Sequence, residues 1–157
     1  MGRTSTKENQ SIYQLAREDT GMTRAEASEA LKFISESSLE KIENGKTTAK
    51  PEDVLAMSKA YRCPELCNRY CSSECEIGKV TVPAIKARSL SEISLSVLST
   101  LNSLDDEKKR LIEITEDGEI SPDEMDDFMR IQAQLEKISL TADTLKLWME
   151  KKLSSEK

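Results

Sequence analysis

Histidine is absent from this 157-residue sequence, and aromatic residues make up only 4% of it. Without histidine, the commonest general base is missing, so Ser-His-Asp and Cys-His catalytic sites are excluded. The sequence also has no glycine-rich phosphate-binding loop, and we expect that the protein is not an enzyme. The scarcity of aromatic residues favours a helical fold over an all-β fold, whose strands are rich in them.

Long apolar runs are also missing. No stretch is long enough to span a bilayer, and residues 1–10 lack the apolar segment of a secretory signal. We therefore expect a cytoplasmic protein with no membrane partner, whose residues 1–10 form a flexible N-terminal arm. In the cytoplasm, its four cysteines begin as reduced thiols and not as a disulfide framework.

The negative charge is unevenly distributed along the chain. The formal net charge is −6; residues 1–79 hold 12 Lys and Arg against 13 Asp and Glu, while residues 80–157 hold 11 against 16. The first half is therefore nearly neutral and can approach an anionic polymer. The acidic second half is better suited to a solvated or oligomeric surface.

Capping residues and apolar spacing predict five helices in residues 11–78. Thr23 with Glu26 forms a capping box, Ser35 is a further N-cap, and Pro51 suits a first helical turn. Asn44-Gly45 is a typical helix end. The predicted helices cover about 11–19, 24–33, 36–43, 51–61 and 64–72, with Leu39 and Ile42 buried in the third.

After a predicted linker at 79–83, residues 84–157 have the pattern of a helical hairpin. Leu90, Ile93, Val97 and Leu101 begin an apolar stripe, on one helix or on two, and Asp117-Gly118 marks a turn. The final helix then carries an apolar seam with steps of three and four, typical of a coiled coil. The seam has two interpretations, a homodimer contact or the inside of a self-contained hairpin. Its predicted residues, with Trp148 covering the open end, are Phe128, Ile131, Leu135, Ile138, Ala142, Leu145, Trp148 and Met149.

The N-terminal pattern resembles the XRE (xenobiotic-response-element) family of bacterial and phage regulators, the relatives of the lambda repressor. The resemblance covers about residues 11–72, and Ile42-Glu43-Asn44-Gly45-Lys46 at the end of the third helix is its most specific part. The run 51–78, with its cysteine-bearing fifth helix, is similar to a group of Firmicutes regulators that end in a helical hairpin. The resemblance implies an all-α, five-helix, repressor-like helix-turn-helix domain, followed here by an antiparallel hairpin or coiled coil.

The resemblance also implies a homodimeric, sequence-specific transcriptional regulator that binds double-stranded DNA. The third helix would enter the major groove, and the start of the second helix and the following loop would hold phosphates. Glu43 matches a glutamate that has a structural role in this family, so the resemblance implies that it orders the turn. Carried over to this sequence, the DNA-binding candidates are Arg24, Glu36, Ser37, Ser38, Lys41, Asn44, Lys46 and Thr47, with Thr48 beside them.

Two departures from the family pattern bear on this prediction. The turn between the second and third helices holds Lys32-Phe33-Ile34 in place of a glycine. The third helix carries Glu36, Glu40 and Glu43 against the single Lys41. Because phosphate attraction supplies most non-specific affinity, such a helix would bind DNA weakly. The competing interpretation is a helix-turn-helix fold that serves as a protein-interaction module.

The four cysteines, Cys63, Cys67, Cys71 and Cys75, are spaced by four residues. One unbroken helix cannot bring four thiolates together, because Cys63 and Cys75 would stand about 18 Å apart. A bend near Ser72-Ser73 would return Cys75 towards the others. We predict small buried thiols and no cofactor; the alternatives are a metal or iron–sulfur site and a redox pair, which would make the protein a sensor.

Overall fold

The computed structural model of the chain describes residues 10–155, apart from the side chains of Leu104 and Asp106. The predicted arm at 1–10 lies outside the described residues except for Gln10. All regular structure in the described range is helical, which confirms the all-α prediction. The helices are α1 (Ile12–Asp19), α2 (Arg24–Leu31), α3 (Glu36–Glu43), α4 (Pro51–Ala60), α5 (Glu65–Ser73), α6 (Glu76–Thr81), α7 (Leu90–Thr115) and α8 (Met125–Ser155).

The helix boundaries follow the capping chemistry of the sequence. Thr23 and Glu26 form the reciprocal capping box that starts α2, and the Ser35 hydroxyl accepts the Ser38 amide at the start of α3. Pro51 occupies the first turn of α4. These local bonds satisfy backbone donors that a helix start leaves unpaired.

The chain divides into two compact units. Among the described residues, one unit holds 10–84 together with 150–155, and the other holds Ile85–Met149. The first unit has a continuous core formed by α1 to α5; its buried residues include Leu39 and Ile42, as predicted, and Ala27, Leu31, Val54, Met57 and Leu66. This core fixes α2 and α3 against α1 and α4.

A sixth helix was not predicted. Helix α6 covers Glu76–Thr81 and so occupies part of the predicted linker at 79–83; extended chain begins only at Val82. Gly78 makes this possible, because a Cβ there would lie 2.1 Å from the Cys71 carbonyl oxygen on α5. Only a glycine lets α6 pack this closely, so the fifth predicted helix is followed by a further one before the connection.

The second unit contains an antiparallel helical hairpin. Helix α7 is one continuous helix, which settles the alternative of one helix or two. Arg110 Nε donates to Asp127 Oδ2 at 2.6 Å, and Arg130 Nε donates to Glu107 Oε1 at 2.9 Å, so the helices run in opposite directions. Ile93, Ile114 and Ile131 are buried in this unit, whereas Leu90 and Leu101 are exposed and correct the predicted stripe.

The loop between these helices is a short capped turn. Gly118 has a φ of 78°, and Glu124 accepts the Ser121 amide at 3.0 Å. Helix α8 begins at Met125. Within residues 10–155, no helix combines the length and the apolar content that crossing a membrane requires.

Candidate nucleic-acid interface

Helices α2 and α3 are joined by a turn that has no glycine. Lys32 takes the place of one, with a φ of 60°, and its amide closes α2 by donating to the Ser28 carbonyl at 3.0 Å. The Ser28 hydroxyl donates to the Ile34 carbonyl at 2.8 Å across the turn. The glycine-free turn therefore closes, with a lysine in a strained backbone conformation.

Helix α3 has a buried side and an exposed side. Leu39, Ile42 and Glu43 are buried. Ser37, Lys41 and Asn44 are exposed, and helical spacing places them on the opposite face. Ser38 is exposed but is engaged with the N-cap, since its hydroxyl lies 2.8 Å from that of Ser35. The side chains available for base contacts are thus centred on Ser37, Lys41 and Asn44, with Glu36 and Glu40 beside them.

Glu43 is buried between two arginines. Its Oε1 accepts from Arg17 Nε at 2.6 Å, and its Oε2 accepts from Arg17 Nη2 at 3.0 Å and from Arg24 Nε at 2.8 Å. Arg17 also donates to the Met22 carbonyl at 2.7 Å, and its pKa is raised chiefly by the bond to Glu43. Arg17 and Glu43 form a bidentate pair. Together with Arg24, this charged cluster links α1, the start of α2 and the end of α3.

The cluster changes the electrostatics of α3. The exposed ionisable side chains from Lys32 to Lys50 are four lysines and two glutamates, because Glu43 is removed from the surface. The members are Lys32, Glu36, Glu40, Lys41, Lys46 and Lys50. The exposed charges of this segment therefore sum to +2 in place of the +1 that an exposed Glu43 would leave, although the sequence of α3 itself is acidic.

Arg24 and Arg17 differ in how well the sequence indicates them. Arg24, a candidate for DNA contact, is half-buried and its Nε is committed to Glu43. Its role at a phosphate stays a prediction that rests on the remaining guanidinium nitrogens. Arg17 was not among the residues predicted from the sequence. Its place beside Ala16 on a short amphipathic helix could have indicated it, because an arginine that is buried there needs a charged partner.

The loop after α3 offers side chains and not amides. Asn44, Lys46, Thr47 and Thr48 are exposed. However, the amides of Lys46 and Thr47 both donate to the Lys41 carbonyl, at 2.8 and 3.3 Å. These two amides complete the helix end around Gly45, whose φ is 67°. Phosphate binding by this loop stays a prediction, and the exposed lysine and threonine side chains are its candidates.

The cysteines lie on α5 and its flanks, all half-buried and all free. The chain bends at Glu74, between α5 and α6, and Cys75 caps α6 by accepting the Gly78 amide at 3.5 Å. Within the described part of the chain, no group of three potential ligands is arranged to hold a metal ion. Burial, and the nearby Cys75 and Cys67 thiols, raise the pKa of Cys71.

Cys63 has a different environment from the other three thiols. Its Sγ donates to Glu65 Oε2 at 3.5 Å, and Glu65 Oε1 accepts from Lys151 Nζ at 2.7 Å. Burial first, and then the charge of Glu65, raise the pKa of Cys63 to about 11. This thiol stays protonated near neutral pH and is a poor nucleophile.

The predicted seam on α8 is divided by the structure. Ile131 is buried, and Phe128, Ile138, Leu145 and Trp148 are half-buried. Leu135 and Met149 are 46% and 51% exposed, and Ala142 between them is exposed as well. These three residues are seven apart and form a stripe that the hairpin leaves uncovered.

The comparisons with known proteins agree with the arrangement of α2 and α3. A family model described as "Helix-turn-helix domain" matches residues 14–66, which span α1 to the start of α5. No curated protein and no solved structure matches the chain. The capped helix pair, the turn closed at Lys32 and the family match together identify residues 14–66 as a helix-turn-helix domain.

Proposed function

We propose that this chain is a cytoplasmic, homodimeric transcriptional regulator of the XRE type, which binds a specific DNA sequence through α3. The observation that carries the proposal is the burial of Glu43 by Arg17 and Arg24. Since that carboxylate is withdrawn, the exposed charges around α3 favour a polyanion.

In this arrangement α3 lies in the major groove with Ser37, Lys41 and Asn44 facing base edges. Lysine reads guanine O6 and N7, while serine and asparagine pair with several bases, adenine above all for asparagine. Lys46, Thr47 and Thr48 follow on the exposed loop and would contact the phosphate backbone, which positions the helix without specifying sequence.

Selection from random and genomic DNA fragments at several salt concentrations tests the DNA-binding proposal. We expect an enriched palindrome whose half-sites lie about one helical turn apart, with affinity that falls steeply as salt rises. Lys41→Glu should abolish the enrichment. Lys59→Glu changes an exposed residue of α4 outside the interface; it is the matched control and should retain the enrichment. If the unaltered chain enriches no sequence at low salt, the proposal is refuted.

Homodimerisation is proposed through the uncovered stripe on α8. Leu135, Ala142 and Met149 repeat every seven residues on a 31-residue helix, the spacing at which two helices form a continuous seam. Light scattering of the full chain at tens of micromolar should give twice the mass of one chain. Leu135→Glu with Met149→Glu should yield the monomer, whereas Ala133→Glu, on another exposed face of α8, should not.

A further inference from the structure

Phe33 is an exposed aromatic residue in the turn between α2 and α3. Its side chain is 65% exposed. It directly follows Lys32, whose φ is positive. The α2–α3 core does not need this ring, since Leu31 and Ile34 on either side fill the interior. The ring is therefore available to a partner of the surface that α3 presents.

The surroundings of Phe33 indicate the chemistry of that partner. Phe33 lines a surface cleft whose floor includes the buried Ile34 and Ile42. Two lysines and three hydroxyl groups share the cleft, and neither lysine has an ion-pair partner among residues 10–155. The single carboxylate, Asp53, accepts the Lys50 amide at 3.4 Å as a helix cap. The polar lining residues are Ser38, Lys41, Thr47, Thr48, Lys50 and Asp53.

The cleft adjoins the recognition face, because Lys41 belongs to both. An α-helix with its side chains is about 10–12 Å wide and fills the roughly 12 Å major groove, so the flank of α3 that carries the cleft faces the edge of the groove. The apolar group exposed there is the thymine C5-methyl, and a neighbouring phosphate complements Lys50. An aromatic ring that shares a cleft with two lysines matches this combination better than it matches an apolar protein surface.

We propose that Phe33 is a specificity-determining residue that contacts the C5-methyl of a thymine at the edge of each half-site, with Lys50 on a flanking phosphate. This inference rests on the proposed DNA-binding function and adds to it a base preference. In this arrangement Phe33 contributes sequence information, whereas Lys50 contributes affinity that depends on salt.

The test compares the sequences selected by the unaltered chain with those selected by Phe33→Ala. We expect Phe33→Ala to lose the preference for thymine at one position of each half-site and to keep the other positions and the salt dependence. Replacing that thymine by deoxyuridine, which lacks only the methyl group, should weaken binding of the unaltered chain about fourfold, the effect of one buried methyl group. It should not change the affinity of Phe33→Ala.

Two controls keep the outcomes distinct. Phe33→Leu should restore part of the thymine preference, and Leu55→Ala, which removes another exposed apolar side chain, should change nothing. If the unaltered chain selects a sequence but neither Phe33→Ala nor deoxyuridine has an effect, the inference is wrong and the proposed function stands. If the unaltered chain selects no sequence, both are wrong.

Discussion

Removal of the Glu43 carboxylate is the most direct test of how this domain is held together. Glu43 accepts three hydrogen bonds from Arg17 and Arg24, at 2.6 to 3.0 Å. In Glu43→Ala, Arg17 keeps its bond to the Met22 carbonyl and an ion pair with Glu18 at 3.6 Å, and its charge stays buried with 6% of its surface exposed. Breaking a buried ion pair by removing one partner destabilises a protein by about 3–5 kcal/mol.

The expected loss is about 3 kcal/mol, the lower end of that range, because the bond from Arg17 to Met22 survives. Since domains are stable by about 5–15 kcal/mol, such a loss should be obvious. Urea denaturation of the full chain, followed by circular dichroism at 222 nm, measures it. Glu40→Ala removes an exposed glutamate from the same helix and should change the free energy of unfolding by at most about 0.5 kcal/mol.

A second pair of variants separates the charge from the packing. Arg17→Met with Glu43→Leu replaces the pair by apolar side chains of similar size, and we expect it to be close to neutral in stability. Arg24→Ala should lose about 1 kcal/mol or less, because the Arg24 side chain is 32% exposed. If Glu43→Ala were no more destabilised than Glu40→Ala, the cluster would not stabilise the fold, and its effect on the charge of the interface would stand alone.

Three further predictions concern the backbone and the thiols. Lys32→Gly should raise the free energy of unfolding by about 0.5–1 kcal/mol, because glycine relieves the positive φ; in thermal unfolding, Lys32→Ala should show no such gain. Gly78→Ala should lower it by about 2 kcal/mol, because the new Cβ meets the Cys71 carbonyl oxygen, and an unchanged midpoint in urea would contradict the close packing of α6. Cys63, whose pKa of about 11 keeps the neutral thiol dominant at pH 8, should be alkylated on the order of 100-fold more slowly than a model peptide thiol. Mass spectrometry at that site measures the rate, and Glu65→Gln should partly restore it.

The helix starts were predictable because their causes are local. A capping box needs only Thr23 and Glu26, and α3 begins and ends where Ser35 and Asn44-Gly45 place its caps. The apolar spacing likewise predicted that Leu39 and Ile42 are buried. Each of these features depends on residues within one turn of the chain, which any helix start or end must provide.

The sequence did not reveal what depends on close approach between distant residues. Helix α6 can pack against α5 because Gly78 has no Cβ to clash with the Cys71 carbonyl oxygen. Which residues of the α8 seam are buried depends on which of them α7 covers. The pairing of Glu43 with Arg17, 26 residues away, is likewise a property of the folded core. Periodicity marks an apolar position but not the partner that buries it.

The sequence by itself determined the helical class, the order of the first five helices and the position of α3. Only the tertiary structure decided how much of the acidic charge of α3 is exposed at the candidate interface. Glu43 counts against DNA binding when it is read along the chain; in the folded domain, two arginines from other helices withdraw it from the surface. The physical reason is that caps and periodicity act within a helix, whereas the exposure and pairing of a charge depend on what the fold brings beside it.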